Sequence, residues 1–272
     1  MDERDHAANR RGATRDTARS GFWYPRTRRT TPERMDDPSC DPELVKRTFR
    51  QLAVVNRLLS RVRTLLLRFV IRDAIERGVT QITVLDVGAG GGDVARWLVD
   101  AGARRGLRVR VTCVDPDPRA VALAAERLRG VDGCEVTLAS VFDVRGRWDY
   151  VISNHVLHHL SDDQIVEMLD HSLSICSRRI VWNDLLRSRL SVIGFAAFST
   201  VMMRRSYGRE DGLLSILRGF RPSELEALID WTEWHTHACV GRLPPGRVYI
   251  VGDTPRHDHP APSVRASSRS IR

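Results

Sequence analysis

The stretch Val84-Leu-Asp-Val-Gly-Ala-Gly-Gly-Gly-Asp93 sets the fold expected of the whole chain. An apolar strand runs straight into glycines and then into an amphipathic helix. Glycines at 88, 90 and 92 let the backbone turn tightly and approach a ligand closely, and the helix beyond offers free N–H groups at its N-terminus. In an open α/β sheet a cofactor lies here, over the carboxyl ends of the strands. A dinucleotide site asks for G-x-G-x-x-G, whose third glycine permits close helix–strand packing. Counted from Gly88, the sixth residue is Asp93, so that pattern fails. Asp86 also sets a carboxylate just ahead of the turn, suited to a ligand ammonium and ill suited to a pyrophosphate.

Strands and helices alternate outward from this loop. Ile82–Val87 reads as a strand, Asp93–Ala101 as a helix, Arg108–Val114 as a strand and Pro118–Leu128 as a helix. Strands follow at Glu135–Ala139 and Tyr150–Ser153, then a helix capped by Ser161 that runs to about Leu173, and a fifth strand at Arg179–Asn183. Such alternation implies a largely parallel sheet with helices on both faces. Upstream, Asp41-Pro42 opens a helix with an N-cap and a first-turn proline, and Leu44, Phe49, Leu52, Val55, Leu58 and Leu59 recur at helical spacing. A second helical stretch covers about Val62 to Glu76 and ends at Gly78. Downstream, residues from about Ser188 to Met203 are helical, another helix starts at Pro222, and Glu233–Val240 and Arg247–Val251 are the last strands, with Trp231 and Trp234 expected in the core beneath them. The implied organisation is a polar tail at 1–30, a helical cap at 31–80, the α/β domain at 81–253 with a helical insertion at 185–220, and a second tail at 254–272. The segment Phe22-Trp23-Tyr24-Pro25 interrupts the first tail.

At 272 residues the chain suits one large α/β domain with extensions. Its net charge of +9 would ordinarily point to nucleic acid or a membrane surface. The basic residues are almost all arginine, however, with Lys46 the sole lysine, a skew that reads as codon usage. No nucleic-acid partner is expected. Five scattered cysteines form no CxxC pair and no Cys/His spacing typical of zinc, so no metal is expected. A reducing, cytoplasmic compartment without structural disulfides follows. The first forty residues carry no apolar signal-peptide core, and Ser191–Met203 is too short to span a bilayer.

Asp115, at the tip of the second strand and about twenty residues past the glycine loop, is placed to accept from both ribose hydroxyls of a nucleoside. The alternative is that Asp115-Pro-Asp117-Pro only starts the next helix; Asp117 fits that task better. With Asp86-x-Gly88-x-Gly90-x-Gly92, Asp115, and Trp148-Asp-Tyr-Val-Ile-Ser-Asn-His-Val-Leu-His-His-Leu160 in hand, the chain resembles the class I S-adenosylmethionine methyltransferases over about residues 82–184. Within them it is similar to the branch holding the ubiquinone/menaquinone-biosynthesis C-methyltransferases. The resemblance implies a doubly wound, seven-stranded, mostly parallel Rossmann-like sheet whose last strand is antiparallel, and S-adenosyl-L-methionine as cofactor. It implies that Asp86, Gly88, Gly90 and Gly92 hold the methionine end, Asp115 the ribose, and Asn154 and His155 the region of the methyl group. Many such enzymes place an Asp after strand three to accept from the adenine amino group. Ser140 stands there instead, with Val141 or Phe142 beside it to sandwich the ring.

The flanks Pro32-Glu-Arg-Met-Asp-Asp-Pro38, Asn183-Asp-Leu-Leu-Arg-Ser-Arg189 and Asp211-Gly-Leu-Leu-Ser215 resemble bacterial small-molecule methyltransferases often encoded near type III polyketide synthases. That second resemblance covers roughly residues 32–252 and implies a phenolic or polyketide-like small-molecule acceptor. A hydroxyl acceptor needs a base, and a histidine of near-neutral pKa is the natural one. His155 and His158 are the candidates; the alternative is that His158 and His159 merely start the next helix. Arg187, Arg189, Arg204 and Arg205 either clamp an anionic acceptor or form a solvated face. Two other readings stay open: an RNA or protein methyltransferase, against which Ser153-Asn-His-Val156 departs from the Asn/Asp-Pro-Pro-Tyr loop of N-methylating enzymes, and a non-catalytic cofactor-binding partner subunit.

Overall fold

The computed structural model describes residues 27–254. The two expected tails, with Phe22-Trp23-Tyr24-Pro25, fall outside these residues apart from 27–30 and Thr254. The seven strands are β1 (Gln81–Val87), β2 (Arg108–Asp115), β3 (Cys134–Leu138), β4 (Trp148–Asn154), β5 (Cys176–Leu185), β6 (Ala238–Leu243) and β7 (Arg247–Asp253). They form one sheet in the order β3-β2-β1-β4-β5-β7-β6. The first five strands pair in parallel, and β7 runs antiparallel to both β5 and β6. The chain winds outward from β1 to β3 and then returns to β4 on β1's other side, which opens a crevice at the carboxyl ends of these two strands. The expected doubly wound seven-stranded sheet is the observed one.

Alternation along the strands sorts their residues onto two faces. Ile82 and Val84 of β1, Tyr150 and Ile152 of β4, and Val181 of β5 pack with α2 (Val62–Leu66), α3 (Arg72–Glu76) and α4 (Asp93–Ala103); a π-helical turn at Leu67–Ile71 joins α2 to α3. Leu85 and Val87, Val151, Ile180 and Trp182 form the opposite core with α6 (Asp162–Ile175) and α9 (Pro222–Ile229). Asp86 therefore shares a face with Val84, and Asn183 with Val181. Asp184 points the other way, with Trp182. Adjacent near the carboxyl end of β5, these two polar residues face opposite sides of the sheet.

Helix α1 (Pro42–Leu58) begins as its sequence suggests, with Asp41 Oδ1 accepting from the backbone N–H groups of Glu43 and Leu44. Its apolar stripe is only partly core: Val45 and Val55 are buried, Leu58 is 54% exposed, and Phe49 and Leu52 line a cavity. Helix α5 (Pro118–Leu128) takes Asp117 as its cap, the side chain accepting from Arg119 N at 2.8 Å.

Two boundaries differ from expectation. The insertion holds α7 (Arg189–Met202) and a further helix, α8 (Gly208–Arg218), whose polar opening Gly-Arg-Glu-Asp-Gly hides its helical spacing. Strand β6 begins at Ala238 rather than Glu233, because the preceding residues turn. In that turn Trp234 is fully buried and donates Nε1–H to Leu169 O at 2.7 Å, whereas Trp231 is 80% exposed and not core.

Candidate functional site

The crevice between β1 and β4 opens into a cavity of about 610 Å³, within the range of small-ligand sites. Its floor is the β1 end and the loop that follows. Gly88 has φ +65°, and a Cβ there would lie 2.2 Å from Val156 Cγ2. The residue must be glycine both for its backbone and for the loop after β4 that presses on it. Gly90 also has positive φ (+54°) but faces the cavity, where a Cβ would meet only Phe49 within 4 Å. Its N–H donates to Asp115 Oδ2 at 2.9 Å, and Asp117 N donates to Asp115 Oδ1 at 2.9 Å. Each Asp115 oxygen keeps a lone pair for a ligand while the backbone fixes the carboxylate.

Asp86 is unlike the other acids of this floor. It is 2% exposed, and its Oδ2 is buried without a hydrogen-bond partner. Burial, with Asp93 and Asp115 adding like charge, pushes its pKa up to about 8. An amide relay runs beside it. Asn183 Nδ2 donates to Asn154 Oδ1 at 2.7 Å, Asn154 Nδ2 to Asn56 Oδ1 at 3.0 Å, and Asn56 Nδ2 to the Asp93 carboxylate at 3.3 Å. The relay pins α1 and α4 over the carboxyl ends of β4 and β5.

The far wall is built from four separate stretches of chain. His158 is buried between two carboxylates: Nδ1 lies 2.7 Å from Asp184 Oδ1, and Nε2 lies 3.5 Å from Glu33 Oε1. Burial alone would lower its pKa, but Asp184 and Glu33 outweigh that and push it up to about 9. Asp184, although buried, is held by His158 well below the usual carboxylate range. His159 packs at a tilt against His158, with ring centroids 4.3 Å apart, and sets Nδ1 3.5 Å from Asp36. Glu33 Oε1 also accepts from Ser215 Oγ at 2.7 Å.

The segment carrying Glu33 is strapped across the cavity. Arg34 and Met35 donate their backbone N–H groups to buried Asp211 of α8, at 2.9 and 3.0 Å. Arg28 reaches Asp162, Leu160 O and Arg218 O, and Arg119 of α5 donates to Met35 O at 2.8 Å. The three flanking motifs singled out from sequence thus meet in space.

Among the expected site residues, Asp86, Gly88, Gly90, Asp115, Asn154, His155 and His158 all line the cavity. Gly92, Ser140 and Val141 do not. Gly92 caps α4 and leaves room for Ala124 and Leu128, which a Cβ would meet at 3.2 and 3.0 Å. The Ser140 side chain accepts from Phe142 N, and Val141 packs in the core beneath the sheet. The expectation of a free histidine base also changes. His155 (φ +67°) is half-buried, and its Nε2 accepts from Arg247 at 2.8 Å; desolvation and the Arg247 charge hold it neutral. His158 has both ring nitrogens turned to carboxylates. The arginines are neither a clamp nor uniformly solvated. Arg187 is 1% exposed and braces Gly219 O and Glu224, while Arg189, Arg204 and Arg205 are exposed away from the cavity. Sequence reasoning missed Glu33, Asp36, Asn56, Asp184 and Arg247 as site residues, since each acts through a partner far along the chain.

Residues 84–178 match the family model described as a methyltransferase domain. No curated protein matches the chain. Among solved structures, the plantazolicin methyltransferase BpumL in complex with SAH is similar to it in fold, at 14% identity over 79% of this chain and 91% of that one, with a TM-score of 0.59. A protein of Nostoc punctiforme PCC 73102, described as a candidate O-methyltransferase, matches at 16% identity over 75% of this chain and 59% of that one, with a TM-score of 0.52. At these identities the likenesses show the fold alone. Among the described residues, no helix is long and apolar enough to cross a membrane.

Proposed function

We propose that this protein is an S-adenosylmethionine-dependent methyltransferase acting on a small molecule, with a phenolic or polyketide-like acceptor methylated on oxygen or carbon. Asp86 carries the reading: a buried carboxyl on the cavity floor with an unbonded oxygen and a raised pKa. A ligand ammonium would satisfy it, and a pyrophosphate would not. The match of residues 84–178 to the methyltransferase-domain model, and a structure of similar fold in complex with SAH, support the same cofactor.

When bound, S-adenosylmethionine supplies a methyl group on a sulfonium, a displacement that needs orientation more than acid–base help. In this reading Asp86 and the Gly88–Gly90 backbone hold the amino-acid end, and Asp115 accepts from the ribose hydroxyls. Asn154 is held in place by the amide relay. His155 is a positioning residue fixed by Arg247. The polar wall of Glu33, His158 and His159 orients the acceptor, and the helices of 31–80 and 185–220 exclude water. Five cysteines free of disulfides suit a cytoplasmic setting.

Transfer of a labelled methyl group from S-adenosylmethionine to phenols and alkylresorcinols tests this directly. Label is expected on the small molecule and lost in Asp86→Ala. Label found only on RNA or protein would overturn the small-molecule reading.

A further inference from the structure

The polar wall has an arrangement that the cofactor reading leaves unused. His158 and His159 each set Nδ1 against a carboxylate, Asp184 at 2.7 Å and Asp36 at 3.5 Å. Each then turns Nε2 toward the same oxygen, Glu33 Oε1, at 3.5 and 4.0 Å. In a metal site a ligating histidine commonly gives its other ring N–H to a carboxylate, which fixes the tautomer and raises the basicity of the ligating nitrogen. Here that outer pairing is present twice, around one shared acceptor. The two imidazoles and the Glu33 carboxylate thus converge three donor atoms on one point of the cavity wall.

We propose that Glu33, His158 and His159 bind a divalent transition-metal ion of the zinc class. Two histidines and one carboxylate form a nitrogen-and-oxygen donor set suited to zinc, cobalt or iron(II) rather than magnesium or calcium. The three ligating atoms lie within 4.8 Å of one another. Atoms bound to one such ion at about 2.1 Å sit about 3.4 Å apart, so small side-chain rotations complete the site. The surrounding charge favours a cation. Glu33, Asp36, Asp184 and Asp211 crowd this wall. The nearest guanidinium, Arg218, spends Nε on His158 O and NH1 on Thr31 O, and lies 3.9 Å from Asp36. All three ligands line the cavity, so the remaining coordination positions face it. The sequence hides this set because Glu33 stands 125 residues before His158 and no cysteine takes part.

The test needs no methyl transfer, so its failure and the failure of the methyltransferase reading are distinguishable. The full chain is titrated with Co²⁺, followed by visible absorption, and with Zn²⁺, followed by calorimetry. One ion per chain is expected, with absorption bands of nitrogen- and oxygen-ligated cobalt. His159→Gln and Glu33→Gln should each weaken binding tenfold or more, and Cys40→Ser should leave it unchanged. The His159 side chain is only two-thirds buried, so its variant should keep the wild-type circular dichroism even if Glu33→Gln does not fold. Three results would overturn the proposal: no binding by the wild type, undiminished binding by His159→Gln, or thiolate-to-cobalt absorption that places the ion on Cys40.

Discussion

The two ends of the cavity are built on opposite plans. The β1 end is local: strand, glycine turn and helix lie within ten consecutive residues, and its key acid, Asp86, is left with an unbonded oxygen. The far wall is assembled from residues 33–36, 158–159, 184 and 211–218, and its buried acid, Asp184, is fully engaged with His158 and the Leu185 N–H. A site end that a ligand completes can be encoded in a short motif, since the ligand supplies the missing partner. A site end whose acids are paired by other side chains draws those partners from distant segments.

The same substitution at the two acids should therefore have opposite effects. Asp184→Asn removes one partner of a buried pair and should destabilise the fold by about 3–5 kcal/mol. Asp86→Asn removes a poorly satisfied buried carboxyl and should stabilise the ligand-free protein, by about 1–3 kcal/mol, while weakening S-adenosylhomocysteine binding at least about a hundredfold. Chemical denaturation and calorimetry on both variants check this; destabilisation by Asp86→Asn would mean that its carboxyl already has a partner.

Gly88→Ala probes the local plan itself. With φ +65° and a Cβ 2.2 Å from Val156 Cγ2, the change should cost about 1–3 kcal/mol on denaturation. Its effect should be structural first, since Val156 must move. Asp115→Ala should weaken cofactor binding by about 1.5–3 kcal/mol and leave the fold intact. Unchanged affinity would remove Asp115 from the ribose.

Asp86 also sets a pH dependence of stability and of ligand binding. Asp93 of α4 and Asp115 of β2 face it and, with burial, raise its pKa to about 8. A carboxyl whose folded pKa lies above its unfolded value binds more protons when folded. The ligand-free protein should accordingly lose stability as pH rises from the ordinary carboxylate range to about 8. An ammonium-bearing ligand requires the ionised form, so affinity should fall by about tenfold for each unit below that pH until the bound pKa is reached. A flat profile from pH 6 to 8 would deny the pairing. The smallest effect is expected at Ser140→Ala: a change in cofactor affinity under about threefold, because the side chain caps a turn outside the cavity.

What is legible in sequence follows this division. The sheet, its winding, the glycine loop, Asp115 at the β2 tip and the Asp117 cap are all short-range features, carried by period-two alternation and by turn chemistry. The flanking motifs around Glu33, Asp184 and Asp211 stand out only by resemblance, and nothing in their spacing shows that they converge. Asn56 reads as one of several polar residues of α1 until the relay through Asn154 and Asn183 is seen. The histidines mislead for the same reason. Their positions after β4 are evident, but their chemistry depends on Arg247, Asp184 and Glu33, which lie 26 to 125 residues away. Trp231 and Trp234 make the point in miniature: alike in sequence, they are divided by a turn that buries one and exposes the other.

Calorimetric titration of the purified chain with S-adenosylhomocysteine, with NAD run alongside at the same pH, is the most direct test of the cofactor. Micromolar binding of S-adenosylhomocysteine, none of NAD, and loss of the signal in Asp86→Asn are expected. NAD binding without S-adenosylhomocysteine would contradict the assignment of the glycine loop, and silence with both would favour a non-catalytic partner subunit.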